Sequence, residues 1–578
     1  MSRSAHEQAA ATPSQAPLAK QPVERPEGEP TLGRFLIDQL VEAGVEDVFG
    51  IPGDFILRLC QVLDEDPRLA FRTLSHEPGV GFAASGAARG GDAIGVACVT
   101  YGAGALNMVN PIAAAYAEKT PVLVLTGGPS QEERSRGILV HHQVKSFESQ
   151  CKVFKEVTAY QAVLDDPATA AEQVRHAIDV CRLHSLPVYL EVPRDMVDRK
   201  IALTPAEHLA VPLRQGAVEE AAAEAVAKIA AAQRPVMVVG VEVHRSGLAS
   251  RAAALAEHLG LPVVSTFMGR GTFADDHPQY AGVYLGPAST PGVREMVEES
   301  DGLLFLGALL ADTNMGVHLT KIDPRNMVLA NSRRVDIGYH RYAEVPLPDL
   351  VEALLAQPAP DTAAWETPGG DAAPFGRRPF MRADDEPSPG PLRVACMIAE
   401  INRFFAEHGE MPVVTDTGDC LFASHEIDTQ MVVASAYYAT MGFGVPAALG
   451  FEVASGRRPL VLVGDGGFQM TGAELIHALR WGVKPIVLVM NNASWEMLQS
   501  FLPTDYNRLP DWQYAETARL WGAAAWYAET AGELRRALAE ALATDRACLI
   551  ELPLERGDIS DTLYTFTRNV GNTPPPED

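Results

Sequence analysis

Pro459-Leu-Val-Leu-Val-Gly-Asp-Gly-Gly467, followed by Pro485-Ile-Val-Leu-Val-Met-Asn-Asn492, is the part of this chain that decides its architecture. Each apolar run is short, rich in valine and bounded by turn residues, the pattern of a parallel strand buried on both faces. Between the runs, Leu475, Ile476 and Leu479 fall at helical spacing, which predicts a helix over 471–481. Strand, helix and strand form a β-α-β unit. Its two strand ends lie side by side, at the edge where open α/β sheets bind ligands. Asp465 then stands at one strand end and Asn491-Asn492 at the other. An Asp carboxylate and an Asn amide oxygen suit Mg²⁺, which wants octahedral oxygen and often shares its shell with phosphate. Gly466 and Gly467 let the backbone approach a diphosphate, and a helix opening near Thr471 would point its positive end there.

The rest of the chain has room for more than this unit. A single core stops growing at roughly 250–300 residues; 578 residues therefore imply three or four domains. The net charge of −27 argues against a nucleic-acid partner, which needs a basic footprint. No apolar run reaches the length of about 18 residues needed to span a membrane. Seven scattered cysteines without a CxxC pair point to a reducing, cytoplasmic compartment rather than to disulfides or zinc. Residues 1–30 are rich in Ala, Pro, Gln and Glu and are expected to form a disordered tail.

Strands alternating with helices then indicate three doubly wound α/β domains with parallel sheets. The first covers 31–202, with a helix at 33–43 and strands at 94–100 and 121–126. The second covers 218–356, with strands at 235–239, 262–265 and 302–306 and no catalytic constellation. A linker rich in Pro, Ala and Gly is expected at 357–390. The third domain covers 391–554 and carries the Asp465 motif; 555–578 is expected to be a C-terminal tail.

Several motifs outside that unit could carry chemistry. Ser75-His76-Glu77-Pro78 precedes a small-residue helix, 81–89. Tyr101-Gly-Ala-Gly-Ala-Leu-Asn107 opens a helix after a strand. Asp54 lies in Ile51-Pro-Gly-Asp-Phe55, and His141-His142 ends the apolar step Ile138-Leu-Val140. Imidazoles coupled to a carboxylate can relay a proton near neutral pH.

Together these motifs resemble the thiamine diphosphate-dependent 2-keto-acid decarboxylase family over nearly the whole chain. The resemblance implies pyrimidine-binding (31–202), middle (218–356) and diphosphate/Mg²⁺-binding (391–554) domains. It implies that Asp465, the Asn492 side chain and the Ser494 carbonyl hold Mg²⁺, with Gly464, Gly466 and Gly467 at the diphosphate. Glu77 is similar to the glutamate that activates the aminopyrimidine. Met441 resembles the apolar wedge between the cofactor's rings, and the Ala439 carbonyl would accept from its 4′-amino group. Asp54, His141 and His142 resemble the acid-base set of the pyruvate-decarboxylase type. In that type a glutamate lies six residues beyond the second Asn; here the position is Leu498. With Met497 beside it, Leu498 implies a more apolar substrate pocket. Asn492-Ala-Ser-Trp-Glu-Met-Leu498, Phe267-Met-Gly-Arg270 and Gly418-Asp-Cys-Leu-Phe422 resemble the phenylpyruvate and indole-3-pyruvate decarboxylases. The expected substrate is thus an aromatic 2-keto acid, in the second case on a route to indole-3-acetate. The expected assembly is a homodimer or homotetramer with active sites between subunits. An acetohydroxyacid synthase-like carboligase and a non-catalytic thiamine diphosphate-binding protein are the alternative readings.

Overall fold

Every strand run of the first and third domains is paired in parallel, as two-sided apolar runs require. The computed structural model describes residues 29–203, 215–316, 321–366 and 390–570. The first sheet contains β1 (Asp47–Gly50), β2 (Ala70–Thr73), β3 (Gly95–Val99), β4 (Val122–Gly128), β5 (Tyr160–Val163) and β6 (Val188–Pro193). Their order is β2-β1-β3-β4-β6-β5. The third sheet contains β14 (Val413–Thr415), β15 (Val432–Ala434), β16 (Leu460–Gly464), β17 (Ile486–Asn491), β18 (Ala524–Tyr527) and β19 (Cys548–Pro553). Its order, β15-β14-β16-β17-β19-β18, is the same winding. The two domains share a topology that leaves no repeat in the sequence.

Alternation along β16 explains its continuous apolar run. Leu460 and Leu462 enter one core, while Val461 and Val463 enter another on the opposite face. β17 does the same with Ile486 and Leu488 against Val487 and Val489. Each such side chain contributes about 1.5–3 kcal/mol by leaving water.

The middle domain's seven strands run β13-β12-β11-β10-β7-β8-β9. They are β7 (Pro235–Val239), β8 (Val263–Thr266), β9 (Tyr280–Tyr284), β10 (Gly302–Leu306), β11 (Met327–Asn331), β12 (Arg334–Ile337) and β13 (His340–Ala343). β12 and β13 pair antiparallel, an edge hairpin on an otherwise parallel sheet. The first and third domains dock through the helices Glu77–Gly90 and Gly444–Ser455. A Cβ on Gly86 would lie 2.0 Å from the Ala447 carbonyl oxygen, and one on Gly450 would lie 1.9 Å from that of Ala83. Only glycine permits backbones to approach so closely.

Four expectations differ from the structure. The helix after β16 begins at Asp465 and ends at Thr471, six residues earlier than apolar spacing suggests. A short 3-10 turn, Gly472–Leu475, then links it to the helix Ile476–Trp481. Likewise Glu77 stands inside the first turn of its helix instead of ahead of it. The 555–578 segment, expected as a tail, carries the helix Asp561–Val570, whose Leu563 and Phe566 pack on Phe422. At the start of the expected linker, Trp365 packs on the middle-domain core and Glu366 donates its N–H to Gln233 at 2.9 Å. Those residues belong to the middle domain; 367–389, like tail residues 1–28, lie outside the described residues. Among the described residues no helix is long and apolar enough to cross a membrane.

Candidate active site

Strand order in the third sheet reverses between β14 and β16, so a crevice opens beyond their carboxyl ends. Asp465 follows β16 directly, and Asn491 ends the neighbouring β17, with Gly464 paired to Met490. The Asp465 carboxylate is 2% exposed. Its Oδ1 accepts the Gly466 N–H at 2.7 Å, and its Oδ2 accepts the Ser494 N–H at 3.3 Å. Burial pushes its pKa up to about 6, opposed by these backbone donors.

The two asparagines divide their work. Asn491 donates to Glu551 at 2.9 Å and to Asp511 at 3.1 Å, which fastens the strand end. Asn492 turns its Oδ1 into the interior, where that oxygen has no hydrogen-bond partner. A buried unpartnered acceptor is costly, and a cation would satisfy it. Ala493, at φ +50°, makes the left-handed turn that carries the chain back past Asp465. Ser494 and Arg508 form an isolated antiparallel bridge in which Leu509 donates to the Ala493 carbonyl and Trp495 to the Asn507 carbonyl, so the bridge does not use the carbonyl of Ser494. Arg556 donates to the Asn492 carbonyl at 3.2 Å, tying the C-terminal segment to the same loop. These donors are all oxygen and fit Mg²⁺.

A cavity of about 240 Å³ opens on this group. Gly464, Asp465, Gly466, Gly467, Asn492 and Ser494 line it, together with the apolar Ala439, Met441, Met490, Met497 and Leu498. Trp495 lies so close over Gly466 that a Cβ there would sit 2.0 Å from its ring. Ala439 holds φ +56°. Leu498 is 52% exposed in the single chain.

Two acids at this crevice were not singled out from sequence. Asp416 follows β14 as Asp465 follows β16, and that shared strand-end position was the available signal. Its oxygens accept the N–H groups of Gly442 at 3.0 Å and Gly444 at 2.8 Å, which fixes the Met441 loop. Burial raises its pKa to about 6 against those donors. Asp419 lines the cavity and accepts the Ser560 N–H at 3.0 Å; burial lifts it to about 7.

The first domain presents a second group. Glu77 is half-buried, and its Oε2 accepts from Asn107 Nδ2 at 2.9 Å. Asn107, from the glycine loop, also lies 3.0 Å from His76 Nε2. Nearby, His141 Nε2 stands 2.6 Å from Asp54 Oδ2, and the rings of His141 and His142 are 4.7 Å apart. His142 holds φ +67°, and a Cβ on Gly102 would lie 2.1 Å from its carbonyl oxygen. The structure thus brings Asp54, His141 and His142 together and keeps Glu77 at its helix start. None of the four lines the Asp465 cavity.

Three family profiles cover most of this architecture and define a three-domain thiamine pyrophosphate (thiamine diphosphate) enzyme. The N-terminal TPP binding domain matches residues 30–152, the central domain 222–357 and the C-terminal TPP binding domain 416–552. An indole-3-pyruvate decarboxylase of Azospirillum brasilense is 45% identical over 540 residues, 93% of this chain and 98% of that protein. Pyruvate decarboxylase 1 of Pisum sativum is 29% identical over 587 residues, 98% of this chain and 97% of that protein. The pyruvate decarboxylase of Kluyveromyces lactis is 29% identical over 558 residues, 93% and 97% respectively. The chain belongs to the thiamine diphosphate-dependent 2-keto-acid decarboxylases.

Proposed function

We propose that this enzyme acts on aromatic 2-keto acids, phenylpyruvate and indole-3-pyruvate, and releases the aldehyde with carbon dioxide. The observation that carries this reading is the apolar wall of the cavity. Met497 and Leu498 line the same cavity as the Asp465 group, and Leu498 stands where the pyruvate-decarboxylase type carries a glutamate. Burying an aromatic ring against such a wall is favourable by about 25 cal/mol per Å², whereas a methyl group gains little there. Similarity to a protein named indole-3-pyruvate decarboxylase supports the same choice.

The residues take the parts that the family pattern gives them, and their surroundings are compatible with those parts. Asp465, the Asn492 amide oxygen and the Ser494 carbonyl would hold Mg²⁺, which would anchor the diphosphate beside Gly464, Gly466 and Gly467. When bound, thiamine diphosphate supplies the electron sink that lets carbon dioxide leave. Glu77 would hold a proton toward the aminopyrimidine; Asn107 donates to Oε2, which leaves Oε1 as the oxygen to carry it. The Ala439 carbonyl would accept from the cofactor's 4′-amino group, and Met441 would supply the apolar support between its rings. Asp54 holds His141 through Nε2, leaving Nδ1 of His141 and the adjacent His142 to deliver a proton to the product carbon.

Glu77, Asp54 and the histidines share no cavity with Asp465 within one chain, and apolar side chains beside both groups face outward, Leu139 and Met470 among them. This supports a two-fold homodimer in which the first domain of one copy covers the third domain of the other, with a tetramer as a pair of dimers. Seven unpaired thiols fit a reducing, cytoplasmic location.

The substrate test is a panel of pyruvate, phenylpyruvate, indole-3-pyruvate and benzoylformate with an aldehyde-coupled readout. Higher kcat/KM for phenylpyruvate and indole-3-pyruvate than for pyruvate is expected. Pyruvate equal to or ahead of both would overturn the aromatic assignment.

A further inference from the structure

Each of the two cofactor-facing domains reaches into the other with a buried carboxylate. Glu474 lies in the turn Gly472–Leu475, just past the Asp465 helix, and is 2% exposed. Its Oε2 accepts the N–H of Ser75 and its Oε1 that of His76, both at 3.0 Å. These residues lead directly into Glu77, and His76 is the N-cap of the helix that Glu77 opens. A Cβ on Gly79 would lie 2.8 Å from Glu474 Oε1, so the carboxylate also rests on that helix's first turn. His477, one turn beyond Glu474, lies 2.8 Å from the Ser75 hydroxyl and completes the grip.

The reverse contact has the same form. Glu118, in the first domain, is fully buried. Its Oε1 accepts the N–H groups of Tyr437 at 2.9 Å and Tyr438 at 3.0 Å, with the Ser435 hydroxyl at 3.3 Å. Its Oε2 accepts from Arg89 at 2.9 Å, and Arg89 also donates to the Ala434 carbonyl. Ala439, in its left-handed turn, directly follows Tyr438, with Met441 two further on. Charge-assisted bonds to backbone N–H groups are short and direction-fixing. Neither glutamate lines the cavity.

We propose that Glu474 and Glu118 are reciprocal positioning residues. Each fixes, from the other cofactor-facing domain of the same chain, the backbone that aims a cofactor contact: Glu77 in one case, Ala439 and Met441 in the other. The inference rests on the roles proposed above for those three residues. Docking alone would require no carboxylate at these points, since the glycine-mediated helix pair already joins the domains.

The test uses the full-length chain. In Glu474→Gln a single amide oxygen replaces two carboxylate oxygens, and its NH₂ group faces a backbone donor. Amide hydrogen exchange of the apoprotein should then accelerate about tenfold or more across 74–80 and stay unchanged across 435–442. Glu118→Gln should give the opposite pattern. With whichever keto acid the wild type turns over best, kcat should fall about 10- to 100-fold in each variant while KM stays within about twofold, as expected of misaimed groups. Gly79→Ala is the second probe, because it displaces the Glu474 carboxylate without removing it, and it should reproduce the faster 74–80 exchange and the kcat loss. Unchanged exchange in Glu474→Gln and Gly79→Ala, or faster exchange with wild-type kcat, overturns the proposal. Exchange in the apoprotein is independent of turnover, so failure of the substrate reading would leave this result standing.

Discussion

Magnesium binding to the apoprotein should carry the titration of Asp465. Burial holds this carboxyl at about 6, against about 3.9 in an unfolded chain. Below the unfolded value the group is protonated in both states and costs nothing. As pH rises from about 4 to 6 the unfolded chain ionises first, and at neutral pH the apo fold is about 3 kcal/mol less stable for it. A bound dication reverses this balance, because only the carboxylate is a ligand. The apparent Kd for Mg²⁺ with thiamine diphosphate should therefore rise about twofold at pH 6 and about 11-fold at pH 5, relative to pH 8. Isothermal titration calorimetry on dialysed apoprotein across pH 5–8 measures it. Asp465→Asn, titrated at higher Mg²⁺, reports the protonation of the diphosphate itself, and the difference in slope belongs to Asp465. Parallel slopes in wild type and variant would refute the argument, as would wild-type affinity in Asp465→Asn. Thermal scans offer a second view: the Tm gain from Mg²⁺ and cofactor should be larger at pH 7.5 than at pH 5.

Gly466→Ala should weaken cofactor binding about 10- to 100-fold, the equivalent of about 1–3 kcal/mol of overpacking, because its Cβ would meet the Trp495 ring at 2.0 Å. Equilibrium titration of the variant checks this, and undiminished affinity would mean that Trp495 yields freely. Glu77→Gln should abolish decarboxylation while Mg²⁺-dependent cofactor affinity is retained; full turnover would remove the carboxyl from the mechanism. His141→Ala should lower kcat by about 10²–10⁴ with cofactor affinity intact, and an unchanged steady-state rate would exclude the Asp54–His141 pair from proton delivery.

How far the chain could be understood before folding varied with distance along it. Asp465 and Asn492 were legible because β16 and β17 are neighbours both in sequence and in the sheet, so a strand-turn-helix-strand pattern fixes their proximity. Asp54 and His141 were named individually, but their 2.6 Å contact spans 87 positions that no periodicity connects. Apolar spacing places the helix after β16 late because the helix opens on an acid and two glycines, which carry no such spacing. The C-terminal helix carries apolar residues only at Leu563, Phe566 and Val570, and its place is fixed by distant segments: Phe422, against which Leu563 and Phe566 pack, and Glu426, which accepts from Thr562.

Sequence by itself determined the class of fold, the membership in a cofactor family and the nearness of Asp465 to Asn492, since each depends on local period and on short, fixed spacing. Tertiary structure alone decided which oxygen of the site is left without a partner, which acids hold the loops, and that Glu77 lines no part of the Asp465 cavity. Those outcomes depend on sheet order and on how two domains dock through Gly86 and Gly450, where backbones meet at distances that no residue pattern records.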